Sequence, residues 1–193
     1  MEHQTGLDNY LKMLSLHRIR EIYLKEAENA ANTKLSYQEY LHRLIEQQVL
    51  SKMHDVNQKE IQMGQMAMQR GHSRQVRDFG RRLQRDHQAN DRLVRTIARR
   101  EGVDLANYTP NTPEEQREAD RDNRMHQDLE SASGRDFDRA FMRAMAEGHA
   151  DVARDLSRAQ HTLRNGRVRA LVTSTILTVR RHQRMARTLE SRV

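Results

Sequence analysis

The chain has 193 residues, enough for one or two small domains, and with aromatics at 4%, no tryptophan, eight glycines and two prolines it is poor material for a sandwich or barrel and suits helices. A net charge of +7 and a pI near 10.1 suit a nucleic acid or an anionic membrane surface, but they also suit the interleaved Arg and Glu of a solvated helical bundle, which is the expectation adopted. The absence of cysteine excludes disulfides, thiolate metal sites and a cysteine nucleophile, and with no apolar run of about 18 residues and no hydrophobic signal region, no membrane span is expected and the chain as written is expected in the cytoplasm.

Residues 7–16 form a short amphipathic pattern, and a second helix is predicted from Arg18 to the Ala30-Ala31-Asn32-Thr33 break. Ser36-Tyr37-Gln38-Glu39 is a capping box that opens a long helix. Leu41, Leu44, Ile45, Val49, Met53, Val56, Met63 and Ala67 then mark its inner stripe, with no stop before Gly71, so one continuous helix is expected to join an N-terminal segment, 1–52, to a bundle, 53–193. A third long helix is predicted from Ser73 to about Arg100, ended by Gly102. After a loop containing Pro110, Thr112-Pro113-Glu114-Glu115 places an N-cap, a proline at the first helical position and acids in the first turn of a polar, peripheral helix. Two further helices follow, from Asp136 to about Arg164 and from the Asn165-Gly166 break to near Leu189.

The inner stripes contain residues that a plain bundle core does not need. His87 takes its place in the stripe Val76, Phe79, Leu83, Asn90, Val94, Ile97. His149 lies in phase with Phe141, Met145, Val152 and Leu156, and His182 with Leu171, Thr175, Thr178 and Met185. Glu60 lies four residues after Val56 and three before Met63. A buried carboxylate and buried imidazoles need partners, and one Glu and three His on separate helices satisfy one another best around a divalent transition metal, Zn, Fe, Mn or Cu. The plain alternative is that each histidine is a hydrogen-bonded core residue. His3, His17, His42, His54, His72, His126 and His161 fall at ends, loops or outward phases and are expected on the surface.

Several stretches carry a family resemblance: Glu60-Ile61-Gln62-Met63-Gly64-Gln65-Met66-Ala67, Val76-Arg77-Asp78-Phe79-Gly80, Asp86-His87-Gln88-Ala89-Asn90, Ser133-Gly134-Arg135-Asp136-Phe137-Asp138-Arg139-Ala140-Phe141-Met142, and Arg181-His182-Gln183-Arg184-Met185-Ala186. From Glu60 to about Leu189 the chain resembles the DUF4142 family of bacterial ferritin-like proteins. That resemblance implies a ferritin-like bundle, exported relatives, no assigned activity, and Glu60, His87, His149 and His182 as the recurrent polar positions. The chain lacks the Glu-x-x-His pairs of di-iron ferritins, since Gln84, Ala146 and Val179 stand three residues before the histidines, so a mononuclear or vestigial site is expected.

The first fifty residues, with Tyr10-Leu11-Lys12-Met13-Leu14-Ser15-Leu16-His17-Arg18-Ile19 and Leu35-Ser36-Tyr37-Gln38-Glu39-Tyr40-Leu41, resemble the N-terminal helical domain of IstB-type transposition helper ATPases. The resemblance implies self-assembly or docking through these helices, in a natural fusion or an engineered chimera. No G-x-x-x-x-G-K-[ST] occurs, so no nucleotide is expected. Lys12, Arg18, Arg20, Lys25 and Lys34 are offset by Glu21, Glu26 and Glu28, which argues against a strong DNA patch there.

The sequence thus predicts an all-α protein: a small N-terminal helical hairpin, then a ferritin-like four-helix bundle with an extra peripheral helix. Its expected function is metal binding through the inward Glu/His set, without catalysis or with weak redox activity, as a homo-oligomer assembled through the N-terminal helices. The alternatives are a metal-free helical interaction protein and a DNA-associated transposition accessory without the ATPase.

Overall fold

A computed structural model describes residues 27–28, 32, 36–105, 110 and 112–193. The helix expected over 7–16, and nearly all of the one expected from Arg18, lie outside the described residues. Five long helices follow: α1 (Tyr37–Arg70), α2 (Arg74–Arg100), α3 (Pro113–Ser131), α4 (Gly134–Gln160) and α5 (Gly166–Glu190). The protein is all-α, and α1 is the uninterrupted helix that was expected to run through residue 52.

Local chemistry explains the ends. Ser36 Oγ accepts from Glu39 N while Ser36 N donates to Glu39 Oε2, and Thr112 and Glu115 repeat the reciprocal box at α3. Asn165 Oδ1 caps α5 by accepting from Arg167 N and Val168 N. Helix α4 starts at Gly134 rather than Asp136, and Gly134 itself takes a left-handed φ of +57° that a glycine adopts without strain. It ends at Gln160, four residues before the expected Arg164, and the turn that follows tucks Leu163 into the core.

Helices α1 and α2 form one antiparallel hairpin and α4 and α5 another, with α2 against α5 and α1 against α4. Helix α3 carries the chain back along α1 in the same direction, pairing Glu118 with Lys52 near one end and receiving Arg70 Nη2 on the Glu130 carbonyl near the other. A four-helix bundle with one long crossover is the ferritin-like arrangement. Helix α3 is peripheral, and Leu129 is its one buried residue.

The α1–α2 crossing is close because it is built on glycine. A Cβ at Gly64 would meet the Gly80 carbonyl oxygen at 2.8 Å, and one at Gly80 would meet the Gly64 carbonyl oxygen and Ala67 Cβ, both at 2.7 Å. At the α1–α2 turn, buried Asp138 of α4 accepts from His72 N at 2.8 Å and Ser73 N at 2.7 Å. That carboxylate caps the start of α2 from another helix and ties the two hairpins together.

The apolar interior is in two parts. One holds Phe79, Leu83, Phe137, Phe141 and Met142, the other Leu50, Val94, Val168, Leu171 and Val172. Buried polar residues, among them Asn57, His87, His149 and His182, lie between these groups along the helices. The inner face of α1 differs from the expected stripe: Leu41 and Ile45 are exposed, while Gln47, Ser51 and Asn57 are buried. Polar residues on the buried side of α1 left its apolar spacing a poor guide to its orientation. Nor do the charges interleave evenly. Helix α2 has nine arginines against three aspartates and α5 six arginines against Glu190, whereas α3 has seven acids against three arginines. Among the described residues no helix is long and apolar enough to cross a membrane.

Because nothing at the crossing can yield except backbone and Ala67, Gly80→Ala should lower stability by about 1–3 kcal/mol in urea melts. Gly148→Ala, at an exposed position where a Cβ meets nothing within 4 Å, should leave stability unchanged or raise it by up to ~1 kcal/mol. Equal midpoints for Gly80→Ala and wild type would show that the crossing is not constrained as described.

Candidate metal centre

Each histidine reaches the bundle axis from a different helix, His87 from α2, His149 from α4 and His182 from α5, and all three are at least 97% buried. One nitrogen from each lies within 4.8 Å of the others. Among the described residues this is the one such cluster of three or more potential metal-binding side chains. The ring centroids stand 5.2–5.8 Å apart, and Phe79 packs edge-on against His182 at 6.2 Å.

The outer nitrogens decide the chemistry of the inner ones. His149 Nδ1 lies 2.8 Å from the Met145 carbonyl oxygen, which can only accept, so Nδ1 carries the proton and Nε2 the lone pair. His87 Nδ1 lies 2.9 Å from Asn57 Oδ1, which also takes a hydrogen bond from Asn90 Nδ2; His87 Nε2 is buried without a protein partner. His182 Nε2 donates to Asp86 Oδ2 at 3.0 Å, which turns Nδ1 toward His149 Nε2 at 3.3 Å. Three lone pairs therefore converge, each set by a hydrogen bond on the far side of its ring. This is the tautomer control that metal-ligating histidines use.

Protonation of His87 or His182 does not relieve that convergence near neutrality. Burial, then the neighbouring His149 and His182, holds His87 well below the ordinary imidazole value. Burial and His149 push His182 down to about 4 against the opposing pull of Asp86. Burial works to raise Asp86, but the hydrogen bond and charge of His182, helped by Arg85, bring it below the usual carboxylate value, so it stays an acceptor.

Glu60 reaches the cluster from α1, with Oε2 4.0 Å from His149 Nε2. That oxygen is buried without a hydrogen bond, and burial raises the carboxyl above its ordinary value, His149 opposing and Asp122 adding to the shift. Glu60 also lines a groove of about 370 Å³ between α1, α3 and α4, together with Glu118, Asp122 and Asp151. The sequence positions Glu60, His87, His149 and His182 thus meet in one neighbourhood, the histidines as a compact cluster and Glu60 at its edge. Chemically, the cluster can hold a metal ion.

Asn57, Asp86 and Asn90 were not read from the sequence as part of the site. Asp86 directly precedes His87 and Asn90 shares its stripe, so proximity to an inward histidine was the available signal; Asn57 had none, since α1 was oriented by its apolar residues. His54, expected on the surface, is half-buried and pairs with Asp91 at 2.5 Å, and buried Asp91 also accepts from Gln58 and Arg95.

The model of the DUF4142 family, described as a domain of unknown function, matches residues 25–189. The chain belongs to that family. No curated protein and no solved structure matches it. Nothing in these comparisons supports the IstB-like resemblance of the first fifty residues, and the family match already begins within them.

The buried histidines make stability depend on pH. For His182 the folded value of about 4 lies below the free value of 6.5, so between these the unfolded chain binds more protons and stability is lost as pH falls. Glu60, shifted upward, acts in the opposite sense. Chelator-treated Glu60→Gln protein should therefore lose about 3 kcal/mol between pH 6.5 and 4 through His182 alone, with His87 adding to it. A flat stability profile across this range in urea melts would contradict neutral, buried imidazoles.

Proposed function

We propose that this protein binds one divalent transition metal ion, Zn, Fe, Mn or Cu, through His87 Nε2, His149 Nε2 and His182 Nδ1, with Glu60 as the oxygen donor beside them. The observation that carries this reading is the convergence of three buried lone pairs whose outer nitrogens are already satisfied. Without a shared partner they repel one another and stay desolvated, which a buried polar group tolerates poorly. A cation accepts all three and attracts the Glu60 carboxylate, whose Oε2 has no other partner.

The spacing supports it. Ligands at about 2.0–2.1 Å around a tetrahedral ion stand about 3.3 Å apart, the separation of His149 Nε2 and His182 Nδ1. The groove at Glu60, whose four carboxylates outnumber Lys59 and Arg121, offers a cation a route in from solvent. The donor set suits one ion rather than two, because no carboxylate stands a helical turn before any of the histidines. The role follows as retention of a metal, in storage or sequestration.

A second reading has one specific observation in its favour. Adjacent helices α2 and α5 concentrate arginine, and Arg82, Arg92, Arg184 and Arg187 have exposed side chains without an acidic partner among the described residues. Exposed guanidinium groups of this kind fit the phosphates of a nucleic acid.

Protein purified without a histidine tag should carry about one transition metal per chain by ICP mass spectrometry, and His87→Ala or His149→Ala should abolish it. Loading should raise the melting temperature, since a ligand bound only by the folded state stabilises it. A wild type that cannot be loaded sinks the metal reading. On the second reading, duplex DNA should bind with an affinity that falls steeply with salt, and Arg82→Gln with Arg184→Gln should flatten that slope; binding that ignores salt would count against it.

A further inference from the structure

We infer that Gly148 holds open the passage by which a metal ion reaches the histidines, so that a large side chain at this position slows loading and release alike and leaves affinity unchanged. The inference rests on the metal reading above and extends it to the way the ion enters and leaves.

Gly148 directly precedes His149 in the middle of α4, where glycine is the poorest helix former apart from proline. Neither of the usual structural reasons for a glycine applies to it. Its φ is not positive, as those of Gly102 and Gly134 are. A Cβ built on it would meet nothing within 4 Å, whereas a Cβ at Gly64 or Gly80 would run into backbone. Alanine would fit and would favour the helix, so the reason for glycine lies outside folding.

The groove of about 370 Å³ between α1, α3 and α4 supplies one. From α4 it is lined by Ala144, Met145, Gly148, Asp151 and Val152. The other four stand three or four residues to either side of Gly148, so on a helix they surround it, and position 148 is the centre of the α4 wall. Asp122 holds the same place on α3, among Glu118, Met125 and His126, and Glu60 lies opposite on α1 between Val56 and Met63. A side chain at 148 would project into the middle of the groove, toward the space that Asp122 and Glu60 bound. Beyond it Glu60 Oε2 lies 4.0 Å from His149 Nε2, so this space adjoins the buried cluster.

A second void, of about 100 Å³, touches His87 but not Glu60, His149 or His182. Its mostly apolar walls, among them Val49, Leu156 and Val179, give a cation little in return for the water it sheds. The carboxylates of the groove offer that return, which makes the groove the way in and Gly148 the residue that keeps it clear.

Cobalt(II) is the probe, its uptake followed by visible absorption in stopped flow and its release by excess chelator. Gly148→Leu should slow uptake and release by about tenfold or more each, because the ion then waits on rarer openings of peripheral α3. Its dissociation constant should stay within about twofold of wild type, since a change confined to the route alters both rates together, whereas one at the centre alters their ratio. Asp122→Lys, at a side chain 48% exposed, places a cation in the same passage and should slow uptake without added bulk; it decides the matter if the leucine variant does not fold. Wild-type rates in folded Gly148→Leu, or a weakened affinity there with unchanged uptake, overturn this inference and leave the metal reading standing. So does wild-type uptake in Asp122→Lys, or slowed exchange in Val49→Phe with none in Gly148→Leu. Wild-type protein that takes up no cobalt overturns both.

Discussion

The Met145 carbonyl, the Asn57 side-chain oxygen and the Asp86 carboxylate each hold the outer N–H of one histidine, and this outer constraint governs the centre of the molecule. With the protons pinned outside, three lone pairs must face one another in a space from which water is largely excluded. The same burial that keeps His87 and His182 neutral removes the easy remedy of protonation. An ordinary core has no use for that arrangement, and leucine at each position would satisfy packing with none of its cost. On the proposed reading, a cation at the point of convergence offsets that cost.

The rest of the bundle serves to hold four helices in the register this centre needs. Gly64 and Gly80 bring α1 and α2 close together, and the same helix pair places Asn57 against His87. Asp138 fastens α4 to the α1–α2 turn, and at the opposite end Glu46 Oε1 accepts from Arg164 N and Asn165 N, fastening α1 to the start of α5. Both hairpins are thus tied across their ends by carboxylates on backbone N–H groups. Two apolar clusters supply the packing on which the polar residues between them depend.

Much of this was legible in the sequence, for physical reasons that vary by element. Capping chemistry is local, so Ser36 and Thr112 announced their helices directly. His87, His149 and His182 were legible because each interrupts an apolar stripe at helical spacing, and their neighbours on α2, α4 and α5 are apolar enough to define an inside. Helix α1 was harder: Gln47, Ser51 and Asn57 are on its buried side while Leu41 and Ile45 face outward, so hydrophobic spacing misplaced its first turns. Asn57 was invisible for that reason, and the inward carboxylate of Asp138 was missed because its partners are backbone N–H groups 65 and 66 residues away. Long-range pairings of this kind leave no local periodicity to read.

The most direct test of the account is the protonation pattern of the histidine rings, measured by long-range ¹⁵N–¹H correlation on metal-free protein near neutral pH. The account predicts neutral rings with the proton on Nδ1 in His87 and His149 and on Nε2 in His182, and on metal addition a shift confined to the unprotonated nitrogens. Charged rings, or protons on the inward nitrogens, would contradict it, since the lone pairs would then not converge and a metal would have nothing to bind.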